Sequence, residues 1–111
     1  MEIKFATNRL KKVFNDEQEL IRVYGRNSKK IKLRMNVLRS AVSLAAVPVK
    51  PPDRCHKLKA GRLDQFAVDL IHPHRLVFEP SENPLPRKDN GEIDKERVVS
   101  ITIIEVVDYH D

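Results

Sequence analysis

The sequence predicts an α+β fold, in which helices pack on one face of a small, mainly antiparallel sheet. Apolar residues recur at helical spacing in the first half of the chain, whereas short β-type runs occupy the second half. Another strand pattern, Glu2 to Ala6, precedes the helices. The order strand, helices, three strands is typical of this class. At 111 residues the chain is expected to form a single domain, 1–111.

The first helical region carries two capping signals. Thr7 or Asn8 can cap a helix whose apolar residues are Leu10, Val13 and Phe14. Asn15-Asp16 then offers a second cap, and the stretch that follows stops at Gly25. The pattern therefore predicts one broken helix or two short ones.

A longer helix is expected from a cap at Asn27 or Ser28 to about Ser43. Its apolar stripe comprises Ile31, Met35, Leu38, Ala41 or Val42, and Ala45. The opposite face is expected to carry a first basic patch, formed by Arg26, Lys29, Lys30, Lys32, Arg34 and Arg39. One side of the helix should pack, and the other should face solvent or phosphate.

Three strands should follow an extended, proline-rich connection at 47–53. The segments 66–71 and 75–79 read as strands joined by a tight hairpin at His72-Pro73-His74, with Asp69 and Arg75 paired away from the core. Residues 80–97 read as a loop with a turn at Asn90-Gly91. The strand at 98–107 is apolar on both faces near its end, which predicts a central position in the sheet.

The charge balance points to a polyanionic partner. Lysine and arginine number 21 against 16 acidic residues, a net charge of +5. A second basic patch contains Lys50, Arg54, Lys57, Lys59 and Arg62. A positive surface without a nucleic-acid partner is the alternative that charge alone leaves open.

The single cysteine, Cys55, excludes an intrachain disulfide framework and a cysteine-based zinc cluster. It reads as a small buried thiol rather than a nucleophile. Neither the apolar core of a signal peptide nor a membrane-spanning run of apolar residues is present, so a cytoplasmic protein is expected.

The last strand delivers Asp108, Tyr109 and His110 at its end. Cleavage of RNA through its 2′-hydroxyl requires a base, a proton donor and cations on the phosphate, and these side chains together with His56 can supply the proton transfers. No paired carboxylates or His/Cys clusters favour a metal, so a metal-free mechanism without a cofactor is expected. Taken singly, each residue has an ordinary surface explanation.

Several segments resemble the HigB-type toxins, the plasmid-maintenance killer proteins of the RelE/ParE superfamily. They are His56-Lys57-Leu58-Lys59-Ala60-Gly61, Phe66-Ala67-Val68, His74-Arg75-Leu76-Val77-Phe78, and Ile104 to His110. The Asp-Tyr-His ending is the most specific of these segments. The chain differs from the shortest family members in its loop at 80–97, and Ala60-Gly61 replaces the usual glycine directly after the lysine.

The resemblance implies a RelE-like fold and the toxin of a type II toxin-antitoxin system, which cleaves ribosome-bound mRNA and inhibits translation. It implies a helix-turn-helix antitoxin (HigA-like), the ribosome and mRNA as partners. The catalytic residues would be His56, Asp108, Tyr109 and His110, and the phosphate-binding residues would be Lys59, Arg75 and, as a looser match, Arg62. Lys57, in the second basic patch, is expected to bind RNA as well.

Two other functions remain open from the sequence. One is a ParE-like inhibitor of DNA gyrase on the same fold, without nuclease activity, and the other is a non-catalytic RNA-binding domain. A strand running straight through residue 110 would place Asp108 and His110 on one face and Tyr109 on the other. The three can meet one RNA only if the backbone twists or the strand ends near Val107.

Overall fold

A computed structural model describes residues 1–108, which form a five-stranded sheet covered by helices. The strands are β1 (Glu2–Phe5), β2 (His56–Lys57), β3 (Phe66–Asp69), β4 (His74–Pro80) and β5 (Ser100–Asp108). Their order across the sheet is β1-β5-β4-β3-β2; β1 runs parallel to β5 and every other pair is antiparallel. The predicted α+β class is confirmed.

The N-terminal helical region forms two short helices, α1 (Asn8–Phe14) and α2 (Glu17–Tyr24). The hydroxyl of Thr7 accepts from the Leu10 amide, and the carboxylate of Asp16 accepts from the amides of Gln18 and Glu19. Each side chain thereby satisfies amides that a helix start leaves unpaired. Both predicted caps are confirmed, and a 3-10 turn at Gly25–Asn27 leads into the third helix.

The third helix, α3 (Ser28–Ser40), ends before the predicted Ser43. Its stripe of Ile31, Met35 and Leu38 is buried, and Ala41 packs against the core just after the helix. Val42 is 81% exposed and Ala45 is also exposed, so the predicted continuation to Ala45 is wrong. The chain leaves the helix because an extended backbone lets Leu44 pack into the core, where its amide donates to the Val98 carbonyl. The terminal amino group of Met1 donates to the carbonyls of Leu38, Arg39 and Ala41 at the end of α3.

The main core lies between the helices and one face of the sheet. Val13, Leu20, Ile31, Met35 and Leu38 from the helices pack with strand residues of that face: Phe66, Val68, Leu76, Phe78, Ile101 and Ile103. A second, smaller cluster on the opposite face contains Leu58, Ala67 and Val77, with Ile104 and Val107 packed against it. We call this opposite side the second face of the sheet.

Strand β5 is flanked by β1 and β4, as its apolar sequence predicted. Val77 lies opposite Glu105 and Phe78 lies opposite Ile103, so Ile104 is the extra residue of a bulge. The bulge places the consecutive residues Ile104 and Glu105 on the same, second face, whereas Ile103 and Val106 on either side of them pack with the main core. Strand β1 pairs with β5 only as far as Ile103.

The hairpin differs from the prediction, because β3 ends at Asp69 and β4 already begins at His74. The turn is wider because the amide of Leu70 donates to the His74 carbonyl, while that of Ile71 donates to Asn27 in the helical layer. Strand β2, two residues long, was not predicted as a strand. The predicted turn at Asn90-Gly91 is present, and an isolated bridge between Arg87 and Ile93 lies beside it.

No helix within residues 1–108 is long and apolar enough to cross a membrane.

Candidate functional site

His56 lies on the edge strand β2 and faces the second face of the sheet. It is paired with Ala67 on β3. Ala67 lies opposite Val77 on β4, and Val77 lies opposite Glu105 on β5, so the four residues form a row across the sheet. Directly paired residues of antiparallel strands point to the same side, so the row places His56 and Glu105 on one face. Ala67 and Val77 between them are fully buried, so the row is a fixed part of the sheet.

A hydrogen bond to the preceding loop orients the imidazole of His56. Its Nδ1 lies 2.8 Å from the backbone carbonyl of Arg54. A carbonyl oxygen can only accept, so Nδ1 carries the proton and donates, and in the neutral ring Nε2 is the basic nitrogen. Nε2 is itself buried, so it can exchange a proton with RNA only once it becomes accessible.

The arginine cluster, which we define as Arg54, Asp69 and Arg75, lies on the same face. Asp69 and Arg75 are cross-strand neighbours, and Arg75 Nε is 3.5 Å from Asp69 Oδ1. Arg54 binds the same carboxylate in a fork, with Nε 2.7 Å from Oδ2 and Nη2 2.9 Å from Oδ1. The predicted pairing of Asp69 with Arg75 is confirmed. Two guanidinium groups share one carboxylate, so the cluster retains positive charge.

Arg62 reaches the opposite end of the His56 row. Its Nη1 lies 3.3 Å from the Glu105 carboxylate and 3.0 Å from the side-chain oxygen of Gln65. Three residues proposed from the sequence, His56, Arg62 and Arg75, are therefore together on the second face. Glu105 belongs to this surface too, and sequence reasoning missed it because the bulge that turns it to this side has no evident sequence signal.

Arg34 lies beneath the arginine cluster and is buried, contrary to its prediction as part of a solvent-facing basic patch. Its Nε donates to the Asp69 carbonyl at 2.6 Å, and its Nη2 donates to the Pro52 carbonyl at 3.1 Å. Its Nη1 is 3.6 Å from Asp53 Oδ1 in an ion pair that is almost fully buried. The sequence did contain a signal for the burial of Arg34, because this residue lies at helical spacing from Ile31 and Leu38 of the buried stripe.

The Arg34 contacts connect α3 with both loops that support the cluster. The backbone carbonyl of Asp53 accepts from the Asp69 amide at 2.9 Å, which continues the connection into the end of β3. Pro52 and Asp53 directly precede Arg54, whose carbonyl orients His56. Arg34 is therefore a positioning residue for the face that carries His56, Arg54 and Arg75.

The two lysines proposed as phosphate ligands are exposed. Lys57 is paired with Phe66, so its register places it on the helical side of the sheet, opposite His56. Lys59 lies in the segment between β2 and β3. The structure does not bring Lys57 to the same face as Arg62 and Arg75.

Asp108 ends β5 opposite His74, while Val107 lies opposite Arg75. Consecutive strand residues alternate between faces, so the register puts Asp108 on the side of His74 rather than that of Arg75 and His56. His74 lines a cleft with Tyr24 and Arg26 of the helical layer. The other two members of the proposed terminal trio, Tyr109 and His110, lie outside the described residues.

Cys55 is buried directly beside His56 in sequence. Burial raises the pKa of its thiol from 9.0 to about 11, against a smaller lowering by Lys95. The thiol therefore stays protonated at neutral pH, which fits its interpretation as a core residue rather than a nucleophile.

Among residues 1–108, no three His, Cys, Asp or Glu side chains are grouped so as to hold a metal ion. Comparison with known proteins found no matching family model, no similar curated protein and no similar solved structure.

Proposed function

We propose that this protein is the toxin of a type II toxin-antitoxin system, a metal-independent endoribonuclease that cuts ribosome-bound mRNA in the cytoplasm and so inhibits translation. The observation that carries the proposal is the second face of the sheet, where His56 shares a surface with Arg62 and Arg75. A proton-transfer group beside guanidinium groups is what cleavage of a phosphodiester requires. The segments that resemble HigB-type toxins support the same proposal.

In this proposal the attacking group is the 2′-hydroxyl of the RNA. A base removes its proton, the oxygen attacks the adjacent phosphorus, and the bond to the 5′-oxygen of the next nucleotide breaks. The products are a 2′,3′-cyclic phosphate and a 5′-hydroxyl, once an acid has protonated the leaving oxygen. His56 Nε2, which is buried, would have to become accessible to carry out one of these transfers, and the proposed partners for the other are Asp108, Tyr109 and His110.

The arginine cluster would bind the scissile phosphate. A phosphate oxygen can take the place of the Asp69 carboxylate on Arg54 and Arg75, because guanidinium forks fit both anions. Before RNA binds, the Asp69 carboxylate would hold both guanidinium groups in position. Lys59 and Lys57 are proposed to contact the RNA backbone farther from the reacting phosphate.

A specific observation favours a second candidate, a binding protein without nuclease chemistry. Asp108 lies on the other side of the sheet from His56, and Arg54 and Arg75 are already engaged by Asp69. Such a protein would block DNA gyrase as ParE-like toxins do, or would bind RNA without cutting it.

Cleavage of mRNA on programmed ribosomes distinguishes these functions. The wild-type chain should produce new 5′ ends inside the reading frame. His56→Gln should reduce the rate about 100- to 10,000-fold, the usual loss of one proton-transfer group. Deleting residues 109–111 should cause a similar loss, because the deletion removes the proposed phenol and imidazole. His72→Gln is the matched histidine control, exposed in the hairpin turn, and should cut at the wild-type rate.

Thermal melting of each variant would confirm that it remains folded. Intact mRNA together with defects in DNA supercoiling would instead identify a gyrase inhibitor. RNA binding without any cleavage would identify the non-catalytic domain. A folded His56→Gln variant that cuts at the full rate would refute the assignment of His56.

The proposed partner is a helix-turn-helix antitoxin encoded beside this protein. A toxin of charge +5 is best held by an acidic partner, and complex formation should slow as salt screens their attraction.

A further inference from the structure

One edge of β5 lacks a neighbouring strand over its C-terminal half. The amide of Ala6 donates to the Ile103 carbonyl at 2.9 Å, and the chain then turns into α1, which Thr7 caps. Within the described residues, nothing pairs with β5 beyond Ile103 on this side, while β4 continues along the other. The backbone from Ile104 to Val107 is therefore a short open edge, although β5 lies between β1 and β4 in the sheet.

An apolar cleft of about 210 Å³ adjoins this edge. Leu10 and Val13 of α1 and Val23 of α2 line it together with Ile104 and Val106 of β5. Val23 is 38% exposed, a sizeable exposure for an aliphatic side chain on the rim of a groove. The cleft can receive side chains that project from a strand laid along the edge.

The cleft also carries a cation that has no ion-pair partner within residues 1–108. Arg9 lines it beside Tyr24, whose pKa is raised by burial and partly lowered again by the charge of Arg9. The one acidic residue of the lining, Glu105, is paired with Arg62 on the second face. The cleft therefore favours an incoming carboxylate.

We propose that this edge and cleft bind an extended, acidic segment of another protein, which adds a strand beside β5. An extended chain can pair with the peptide groups of an open strand edge, and alternate side chains of that chain would enter the cleft. A carboxylate of the segment would pair with Arg9. The site is separate from the second face, so the inference holds whether or not the protein cuts RNA.

A second copy of this chain is a poor occupant of the edge. Each copy carries a net charge of +5, so two copies repel one another, and the cleft would bring Arg9 against another basic surface. An acidic partner removes this repulsion, and its attraction to the basic chain speeds association at low salt.

The test uses the full chain and a capped hexapeptide, Asp-Val-Glu-Val-Asp-Val. Titration calorimetry should show saturable binding with a Kd below about 1 mM. Amide hydrogen exchange followed by NMR should show new protection within 104–107. A peptide N-methylated at alternate positions, which cannot donate the strand hydrogen bonds, should bind at least about tenfold more weakly. A peptide with lysine in place of its acidic residues should lose binding likewise.

Two variants and a control locate the site. Arg9→Glu and Val23→Asp replace exposed side chains of the cleft, so both should fold, and each should weaken binding about tenfold or more. Lys88→Glu makes the same charge change as Arg9→Glu on the exposed loop at 80–97, and it should bind as the wild type does, apart from a small general charge effect.

Absence of binding at 1 mM peptide would overturn the proposal. So would equal binding of the N-methylated peptide, or of the folded Arg9→Glu variant. Protection of 104–107 that appears without peptide as protein concentration rises would show instead that a second copy occupies the edge.

Discussion

Replacing Arg34 with methionine tests whether this buried cation holds the candidate site together. Methionine has a similar length and fills the space of the arginine stem, so the change removes mainly the guanidinium. The variant loses the hydrogen bonds to the carbonyls of Asp69 and Pro52 and the ion pair with Asp53. The Asp53 carboxylate, 7% exposed, is then left in the interior without its cation.

The expected decrease in the free energy of unfolding is large, because the variant loses the hydrogen bonds and the ion pair together. Breaking a buried pair by removing one partner costs about 3–5 kcal/mol. A chain of this size is typically stable by about 5–15 kcal/mol, so the variant should fold but with much of its stability gone. Arg34→Lys keeps the charge and loses the planar fork, so it should lose about 1–3 kcal/mol.

Urea unfolding followed by far-ultraviolet circular dichroism measures these free energies, since the chain contains no tryptophan. Lys29→Met, at an exposed position on the same helix, is the matched control and should change stability by at most about 0.5 kcal/mol. In a double-mutant cycle, adding Asp53→Asn to Arg34→Met should recover about 1–3 kcal/mol relative to the sum of the single changes. A loss below about 1 kcal/mol for a folded Arg34→Met variant would refute the reasoning.

Two further predictions concern the arginine cluster and the buried thiol. Asp69→Asn removes the carboxylate shared by Arg54 and Arg75, so single-stranded RNA should bind more tightly, with a salt slope steeper by about 0.7 for each released cation; an unchanged slope would contradict the phosphate role of the cluster. Burial raises the pKa of Cys55 to about 11, so the unfolded chain releases this proton at lower pH than the folded one. The contribution of the protonated thiol to the free energy of unfolding is fully present below about pH 9. It should be lost by up to about 1.4 kcal/mol per pH unit as the pH rises towards 11. Cys55→Ala should lack this part of the decline, and identical pH profiles for the two proteins would show that the thiol does not titrate as proposed.

Local patterns in the sequence were sufficient for the elements that local physics controls. Thr7 and Asp16 cap their helices because a side-chain oxygen next to the first free amides is enough, whatever the rest of the fold does. The apolar run at the end of the chain predicted a central strand because only such a strand is covered on both faces. Asp69 and Arg75 were paired correctly because the hairpin brings them together within a few residues.

Elements that depend on distant neighbours were predicted less well. The length of α3 was wrong because Leu44 is buried by its contact with Val98, far along the chain. Strand β2 has two residues and exists only because β3 is there to pair with it. No periodicity within so short a segment could have indicated it.

The sequence by itself determined the α+β class, the caps of α1 and α2, the basic balance and the residue types that the proposed nuclease site would use; the predicted cap of α3 is wrong, because the Asn27 side chain accepts from the Ile71 amide instead. The tertiary structure alone decided which of those residues share a face. The register of β2, β3 and β4 puts His56 with Arg75, and that of β4 and β5 puts Asp108 on the other side. The tertiary structure also decided that Arg34 points inward. Separate loops bring two carbonyls and Asp53 together, and these groups bind the guanidinium in the interior. Side-chain type and spacing are properties of the chain, whereas register, bulges and buried partners arise from contacts between segments that are far apart in the sequence.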